Sequence, residues 1–299
     1  MDSDFFFIYY VIIMIGISVD KRGYYYVTGK VNVFQFMYSK YLDTIEFNDN
    51  EIVVVHGSYQ INLARDWDKD NYMVQRLITE IEMAGKIGAY ALVLHFGKHL
   101  LLSKSRAYNN MLSLLLYAHT ATIKYSPTFI LLETGAGQGT ELCYKLDDLA
   151  FFYKKIQRIK QDGFFNRIKL CIDTCHIHVG GADISTKALA INYLEDFDEK
   201  IGLEHVKLIH LNGSRPDAGA RLDRHSFIGT GTISVKALQV FYETFSPRNV
   251  PLVLETGGDM LKQIKKITLD NMVEQISRFI VGKEDTFSFR KILNQINLI

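Results

Sequence analysis

Short uninterrupted apolar runs recur along the chain, and each stops at a polar residue able to bind a metal. Val53 to Val55 runs into His56, Ala91 to Leu94 into His95, Phe129 to Leu132 into Glu133, Leu170 to Ile172 into Asp173, Val206 to Ile209 into His210, and Pro251 to Leu254 into Glu255. Parallel strands buried on both faces have this continuous apolar pattern rather than an alternating one. The runs recur about every forty residues, the length of a strand, a loop and a helix. Between them, amphipathic stretches predict helices over Val74 to Ile87, Ala107 to Lys124, Leu146 to Gln161, Thr186 to Ile201 and Val235 to Thr244. Two weaker runs upstream, Ile12 to Val19 and Val31 to Phe36, complete eight strands and predict an α/β fold, the (β/α)8 or TIM barrel. An open doubly wound sheet is the alternative. It is disfavoured because such a sheet gathers its ligands in one crevice from a few strands, whereas here one strand after another ends in a ligand type.

Composition narrows the picture further. In 299 residues, 48% hydrophobic and 22% charged content suits a packed core and excludes disordered, collagenous and coiled-coil chains. Lys and Arg (34) nearly balance Asp and Glu (33), so no global field attracts a polyanion, and any such partner must be held by a local site. No Pro, Gly or Ser-rich linker interrupts the series, so residues 1–299 read as one domain, expected to be monomeric. Residues 283–299 form a C-terminal extension, either a capping helix or a frayed tail. The apolar run from Phe5 to Val19 follows Asp2 and Asp4 and falls short of the roughly 18 to 20 residues of a membrane span. It reads as a buried first strand, and with no evident targeting peptide the expected location is cytoplasm or nucleus rather than outside the cell. Cys143, Cys171 and Cys175 are too few for a disulfide framework, lack zinc-knuckle spacing and read as buried thiols.

In a βα barrel the carboxyl ends of the strands converge on one mouth, so His56, His95, Glu133, Asp173, His210 and Glu255 are expected to cluster despite their separation in sequence. His176 and the triplet Asp223-Arg224-His225 add loop candidates. Imidazoles mixed with carboxylates suit zinc, manganese or iron rather than calcium or magnesium. Any one of these residues alone reads most simply as a hydrogen-bonded structural group. Together, several buried carboxylates at one mouth would cost several kcal/mol per unpaired charge without cations. The set is too large for one tetrahedral zinc and large enough for two or three.

Four segments carry a family resemblance: V-V-V-H-G-S-Y-Q-I-N-L from Val53, L-L-E-T-G-A-G-Q-G-T from Leu131, L-C-I-D-T-C-H from Leu170, and I-H-L-N-G with R-L-D-R-H and G-T-G between Ile209 and Gly231. They closely resemble endonuclease IV, the zinc-dependent apurinic/apyrimidinic endonuclease of base-excision repair, over Ile12 to Ile280. The resemblance implies three Zn2+ ions: one on His56, His95 and Glu133, a second sharing Glu133 with Asp173, His210 and Glu255, and a third on His176, Asp223 and His225. It also implies catalytic roles for Glu133, which fixes the metal separation, and Glu255, which orients the nucleophile. The implied reaction is hydrolysis 5′ to an abasic deoxyribose in duplex DNA, leaving a 3′ hydroxyl and a 5′ deoxyribose phosphate, with some 3′ repair phosphodiesterase activity and no organic cofactor. His99, His119, His178 and His205 match no ligand position and are expected at the surface or behind the site.

For DNA binding, Tyr59 matches a position that packs into the duplex at the lesion, and Arg224 lies where a guanidinium can grip a phosphate. Lys98, Arg65, Arg215 and Arg221 supply a basic rim, with Gln138 a further phosphate contact. The glycines of Gly135 to Gly139 lack dinucleotide-binding spacing and read as a loop passing close to the site. The chain departs from the family at Ser18, where a histidine is usual, at Gln60 and Gly213, and after the second strand, where the loop is shorter and Tyr38 or Tyr41 stands in as a wedge. Two rivals stay open: a sugar isomerase or epimerase on the same barrel, and a non-catalytic relative that binds lesions.

Overall fold

The strands form where the apolar runs place them. The structure, a computed structural model, describes residues 14–124 and 126–268. The first part of the run from Phe5 and the 283–299 extension lie outside the described residues. The order is β1 (Ile15–Ser18), α1 (Lys21–Val27), β2 (Val33–Met37), β3 (Ile52–His56), α2 (Tyr72–Lys86), β4 (Ala91–His95), α3 (Lys104–Thr122), β5 (Phe129–Glu133) and α4 (Leu146–Gln157). It continues with α5 (Phe164–Arg167), β6 (Ile168–Asp173), α6 (Thr174–Val179), α7 (Lys187–Lys200), β7 (Val206–His210), the two-residue strands β8 (Gly213–Ser214) and β9 (His225–Ser226), α8 (Val235–Phe245) and β10 (Leu252–Leu254). Residues 260–268 are helical. Strands β1 to β7 and β10 pair in parallel as one closed barrel, sealed where Gly16 meets Val253 in register.

Two hydrophobic layers follow from the two faces of each strand. Val33, Val54, Ala91, Val93, Leu131, Cys171, Leu208 and Val253 pack together inside the barrel. Their neighbours, including Phe34, Val55, Leu92, Leu132, Ile172, Ile209 and Leu254, join the layer shared with the helices. Because side chains alternate with a period of two, the residue two places beyond each inner position also faces inward. For β2 to β7 and β10 that residue is Gln35, His56, His95, Glu133, Asp173, His210 and Glu255 in turn, so the inward alternation itself aims the strand-end polar groups at one mouth.

Side-chain caps fix the helix starts: Asn71 accepts from Met73 N, Ser103 from Arg106 N, Thr186 from Leu189 N and Ser234 from Ala237 N. Gly16 lets β1 and β2 close, since a Cβ there would lie 1.9 Å from the Val33 carbonyl oxygen. Among the described residues, no helix is long and apolar enough to cross a membrane. All three cysteines are buried and unpaired, as the sequence leads one to expect.

Candidate metal centre

Glu133, at the end of β5, is 1% exposed and lies between two sets of imidazoles. Its Oε2 is 3.3 Å from His56 Nε2 and 3.5 Å from His95 Nε2, while its Oε1 is 2.8 Å from His210 Nδ1. The same His210 nitrogen faces Glu255 Oε2 at 3.3 Å and Asp173 Oδ2 at 3.8 Å. Asp223 stands between two rings, Oδ2 3.2 Å from His176 Nε2 and Oδ1 3.2 Å from His225 Nε2. His225 Nε2 also comes within 3.6 Å of Asp173 Oδ2. All nine residues singled out in the sequence therefore lie together. They form sets whose ligand atoms lie within 4.8 Å of one another: His56, His95, Glu133; Glu133, Asp173, His210, Glu255; and His176, Asp223, His225.

Local structure explains how the loop members arrive. The Asp173 carboxylate caps α6 by accepting from His176 N at 2.8 Å, so the D-T-C-H segment turns immediately and returns His176 to the mouth one helical turn later. Asp223 and His225 come back on the β8–β9 ribbon, where Gly213 pairs with Ser226 and Ser214 with His225. A Cβ on Gly213 would lie 2.5 Å from Ser226 Oγ, so the departure from the family at this position suits the close ribbon.

Backbone carbonyls aim two of the rings. His56 Nδ1 donates to Gly57 O at 2.9 Å and His176 Nδ1 to Thr134 O at 2.9 Å, so Nε2 of each ring is aimed at the cluster and is its free lone pair when the ring is neutral. Burial, only partly offset by Glu133, pushes His95 down to about 4 and keeps it neutral. Burial also opposes charge on Glu133, but His95, His210 and His56 outweigh it and hold that carboxyl well below the usual range. Asp173 goes the other way, burial raising it against the pull of His176 and His225. His176 and His210 are raised well above an ordinary imidazole in spite of burial, by Asp173, Asp223 and Glu133 in one case and by Cys171, Glu255 and Glu133 in the other. The cluster thus attracts positive charge. The donor chemistry fits divalent zinc, and the buried Nε2 atoms of His95, His176 and His225 face carboxylate oxygens at 3.2 to 3.5 Å without a well-aligned hydrogen bond.

Two residues missed in the sequence complete the wall. Gln35 Nε2 donates to Glu255 Oε1 at 2.6 Å, and its Oε1 accepts from His210 Nε2 at 2.8 Å. Asn212 Nδ2 donates to Asp173 Oδ2 at 2.7 Å and Glu255 Oε2 at 3.0 Å, while its Oδ1 accepts from Glu255 N at 3.0 Å. Both side chains are fully buried. A search confined to metal-ligand types overlooks carboxamides, although the inward alternation on β2 marks Gln35.

At the rim, Tyr59 is 72% exposed, its ring centroid 5.4 Å from that of His56 and 5.3 Å from that of His95. Arg224 is exposed, its guanidinium donating to Asp223 O at 2.6 Å. Lys98, Arg65 and Arg215 are exposed as well. Arg221 is exposed too, and its guanidinium is tied to Gly137 O and Gly139 O and lies over the Tyr144 ring, so it also pins the glycine loop after β5. Asn62 bridges to the next loop, donating to Lys98 O at 3.0 Å and accepting from Lys98 N at 3.0 Å. Tyr41 is exposed, but Tyr38 is part-buried under Arg76 and does not stand out as a wedge. His119 and His178 are core residues rather than surface ones, each 1% exposed. His119 Nε2 donates to Asp162 O at 3.0 Å, and His178 accepts from Ile184 N at 3.3 Å and meets Thr232 Oγ1 at 3.2 Å.

The family described as xylose isomerase-like TIM barrel matches residues 28–266. A probable endonuclease 4 of Mycoplasma mobile is 36% identical over 230 residues, 76% of this chain and 77% of that protein. Apurinic-apyrimidinic endonuclease 1 of Schizosaccharomyces pombe is 31% identical over 248 residues, 82% of this chain and 68% of that protein. Endonuclease IV from Thermus thermophilus superimposes with a TM-score of 0.67 at 20% identity, covering 88% of this chain and 99% of that one. A D-tagatose 3-epimerase-like protein does so with a TM-score of 0.62 at 17% identity, covering 89% and 99%; these two likenesses speak for the barrel alone. By the extent of the family match and the identity to its sequence relatives, the chain belongs to the endonuclease IV family of xylose isomerase-like TIM barrels.

Proposed function

We propose that this protein is a zinc-dependent endonuclease that hydrolyses the phosphodiester 5′ to an abasic site in duplex DNA, in base-excision repair. The observation that carries the reading is the continuous cluster of nine imidazoles and carboxylates at one barrel mouth, divisible into three ligand sets. Relatives named probable endonuclease 4 and apurinic-apyrimidinic endonuclease supply the substrate class. A sugar epimerase on the same barrel needs one or two ions and gives no role to the set His176, Asp223 and His225.

In this reading His56, His95 and Glu133 hold one zinc, Glu133, Asp173, His210 and Glu255 a second, and His176, Asp223 and His225 a third. When bound, the ions neutralise the charge that develops on the phosphodiester and lower the pKa of water near it. The chain's own groups do the positioning. Glu133 presents one oxygen to each of two sets and fixes their separation. Glu255 is held at both oxygens, by Gln35 and Asn212, and retains lone pairs on the open side of the mouth, where it orients the attacking water. Water adds its oxygen to phosphorus, the bond from phosphorus to the 3′ oxygen breaks, and that oxygen leaves protonated. The products are a 3′ hydroxyl and a 5′ deoxyribose phosphate, and the same chemistry extends to 3′ blocking groups. Tyr59, above the His56 and His95 rings, packs at the lesion, and Arg224 contacts a flanking phosphate.

The test is incision of a duplex carrying a single tetrahydrofuran abasic analogue by protein loaded with zinc or stripped of it. Because the analogue cannot undergo β-elimination, a cut reports hydrolysis, and extension by a polymerase identifies the 3′ hydroxyl. Zinc-dependent incision is expected. Tight lesion binding without scission would replace the proposal with a binding function, and turnover of a ketose without incision would replace it with sugar chemistry.

A further inference from the structure

Gln35 lies on β2 in register with Ser18 on β1 and Val54 on β3, two residues beyond the interior Val33. Phe34 and Phe36 on either side point outward into an aromatic cluster with Tyr24 and Phe47, ring centroids 5.0 to 5.8 Å apart, and so lock the rotation of the strand. The carboxamide is fully buried and is held by two groups from distant strands, Glu255 at 2.6 Å and His210 at 2.8 Å.

The two contacts determine each other's polarity. A carboxylate only accepts, so the amide nitrogen must face Glu255. The amide oxygen then faces His210 and accepts, so His210 Nε2 must carry the hydrogen. In the neutral ring that a metal requires, the Nδ1 lone pair is thereby left toward Glu133, Asp173 and Glu255. One neutral side chain selects the histidine tautomer and fixes a carboxylate oxygen, and it brings no charge of its own into the site.

From this geometry we infer that Gln35 is a positioning residue for the zinc set of Asp173, His210 and Glu255, aiming His210 Nδ1 and Glu255 Oε2 at one ion. The inference rests on the proposed zinc chemistry and adds to it a residue that touches no metal. Partners of this kind behind metal ligands contribute about 10- to 100-fold in metal affinity or activity.

The test compares the wild-type protein with Gln35→Met, which keeps chain length and removes both hydrogen bonds. Zinc affinity is read by competition with a colorimetric chelator, zinc content by elemental analysis, and unfolding temperature on the metal-free proteins. The expected result is one zinc of three bound about 10- to 100-fold more weakly, with the other two unmoved. Incision should show a similar loss in kcat at unchanged KM. A carboxamide that only fills space would lower the unfolding temperature and leave all three affinities as they were, and that result overturns the inference. Should Gln35→Met fail to fold, nitrogen NMR of histidine-labelled, zinc-loaded wild-type protein decides. A protonated Nε2 and an unprotonated Nδ1 on His210 support the inference, and the reverse tautomer sinks it. Wild-type protein that binds no zinc removes the underlying function as well, whereas normal wild-type binding matched by Gln35→Met removes only the role of Gln35.

Discussion

Gln35 and Glu255 stand 220 residues apart in sequence and share a 2.6 Å hydrogen bond across the barrel mouth. Asn212 holds the second oxygen of Glu255 at 3.0 Å. Both partners donate, so the carboxylate is an acceptor on both sides, and an amide in its place must turn its NH2 toward one of the donors. Glu255→Gln therefore loses the charge and at least one hydrogen bond together. Incision of the tetrahydrofuran duplex in single turnover is expected to fall by about 10²- to 10⁴-fold. A rate within a factor of two of the wild type would remove Glu255 from the chemistry.

Asp223 bridges His176 and His225 at 3.2 Å on each side, the only carboxylate in that set. Asp223→Ala is expected to reduce zinc content by one ion and to abolish incision. His119→Ala is the control, because that ring lies on α3 against Phe164 and Asp162, away from the nine. It should cost about 2 kcal/mol of stability through the hole it leaves, with incision largely unchanged. Equal zinc content in the Asp223→Ala and wild-type proteins would contradict the third set.

Most of the barrel is legible in the sequence because continuous apolar runs have one economical explanation, a strand covered on both faces. His56, His95, Glu133, Asp173 and His210 each close such a strand, and Glu255 follows β10 directly. Short elements are not legible. The ribbon that returns His225 is two residues per strand, too short to show a period, and α6 is disguised by following β6 with no intervening loop. The sequence leaves His119 and His178 either at the surface or behind the site, and only tertiary contacts show that both are buried and that Asp162, Ile184 and Thr232 satisfy them. Gln35 and Asn212 escape for a different reason: carboxamides ligate poorly, so a ligand search omits the residues that hold the ligands in place.

Burial, together with the nearby Arg167 charge, lowers the pKa of His119 despite the Asp162 carbonyl. A histidine whose folded pKa lies below its unfolded value binds fewer protons when folded, so stability is full above the unfolded pKa, near 6.5, and is lost as pH falls from there through the lower folded value. Urea midpoints of the wild type should drop between about pH 7 and pH 5 by more than those of His119→Gln, which has nothing to titrate at this position. Parallel midpoints for the two proteins would show that His119 is not part of the acid sensitivity. The comparison is made on metal-free protein, so that zinc release does not add its own pH dependence to either curve.

Tyr59 exposes most of its ring while lying tilted over His56 and His95. Because most of the side chain is in solvent, Tyr59→Ala should leave zinc content and unfolding temperature unchanged. If the ring stacks at the lesion, the loss is in substrate binding: KM for the abasic duplex should rise by about 10-fold or more, in line with about 1–3 kcal/mol for one aromatic stacked on a base. A fall in kcat at constant KM would place Tyr59 in the chemistry instead.

Removing the metal should weaken the fold as well as the reaction. Four carboxylates converge within the nine-residue cluster, and two of them, Glu133 and Asp173, are fully enclosed. Without a cation the site must satisfy those charges by drawing protons onto His176 and His210, which the raised affinity of both rings already favours. Bound zinc would do the same work without a change of protonation, and at free zinc about a thousand times the dissociation constant each occupied site would add about 4 kcal/mol. Chelation is therefore expected to lower the unfolding temperature by at least about 10 °C, reversibly on re-addition. Cobalt or manganese should restore the transition, whereas magnesium should not, because an imidazole-rich set does not suit it. An unfolding curve indifferent to chelator would mean that protons alone balance the cluster, and with that the case for a metal centre at this mouth would fail.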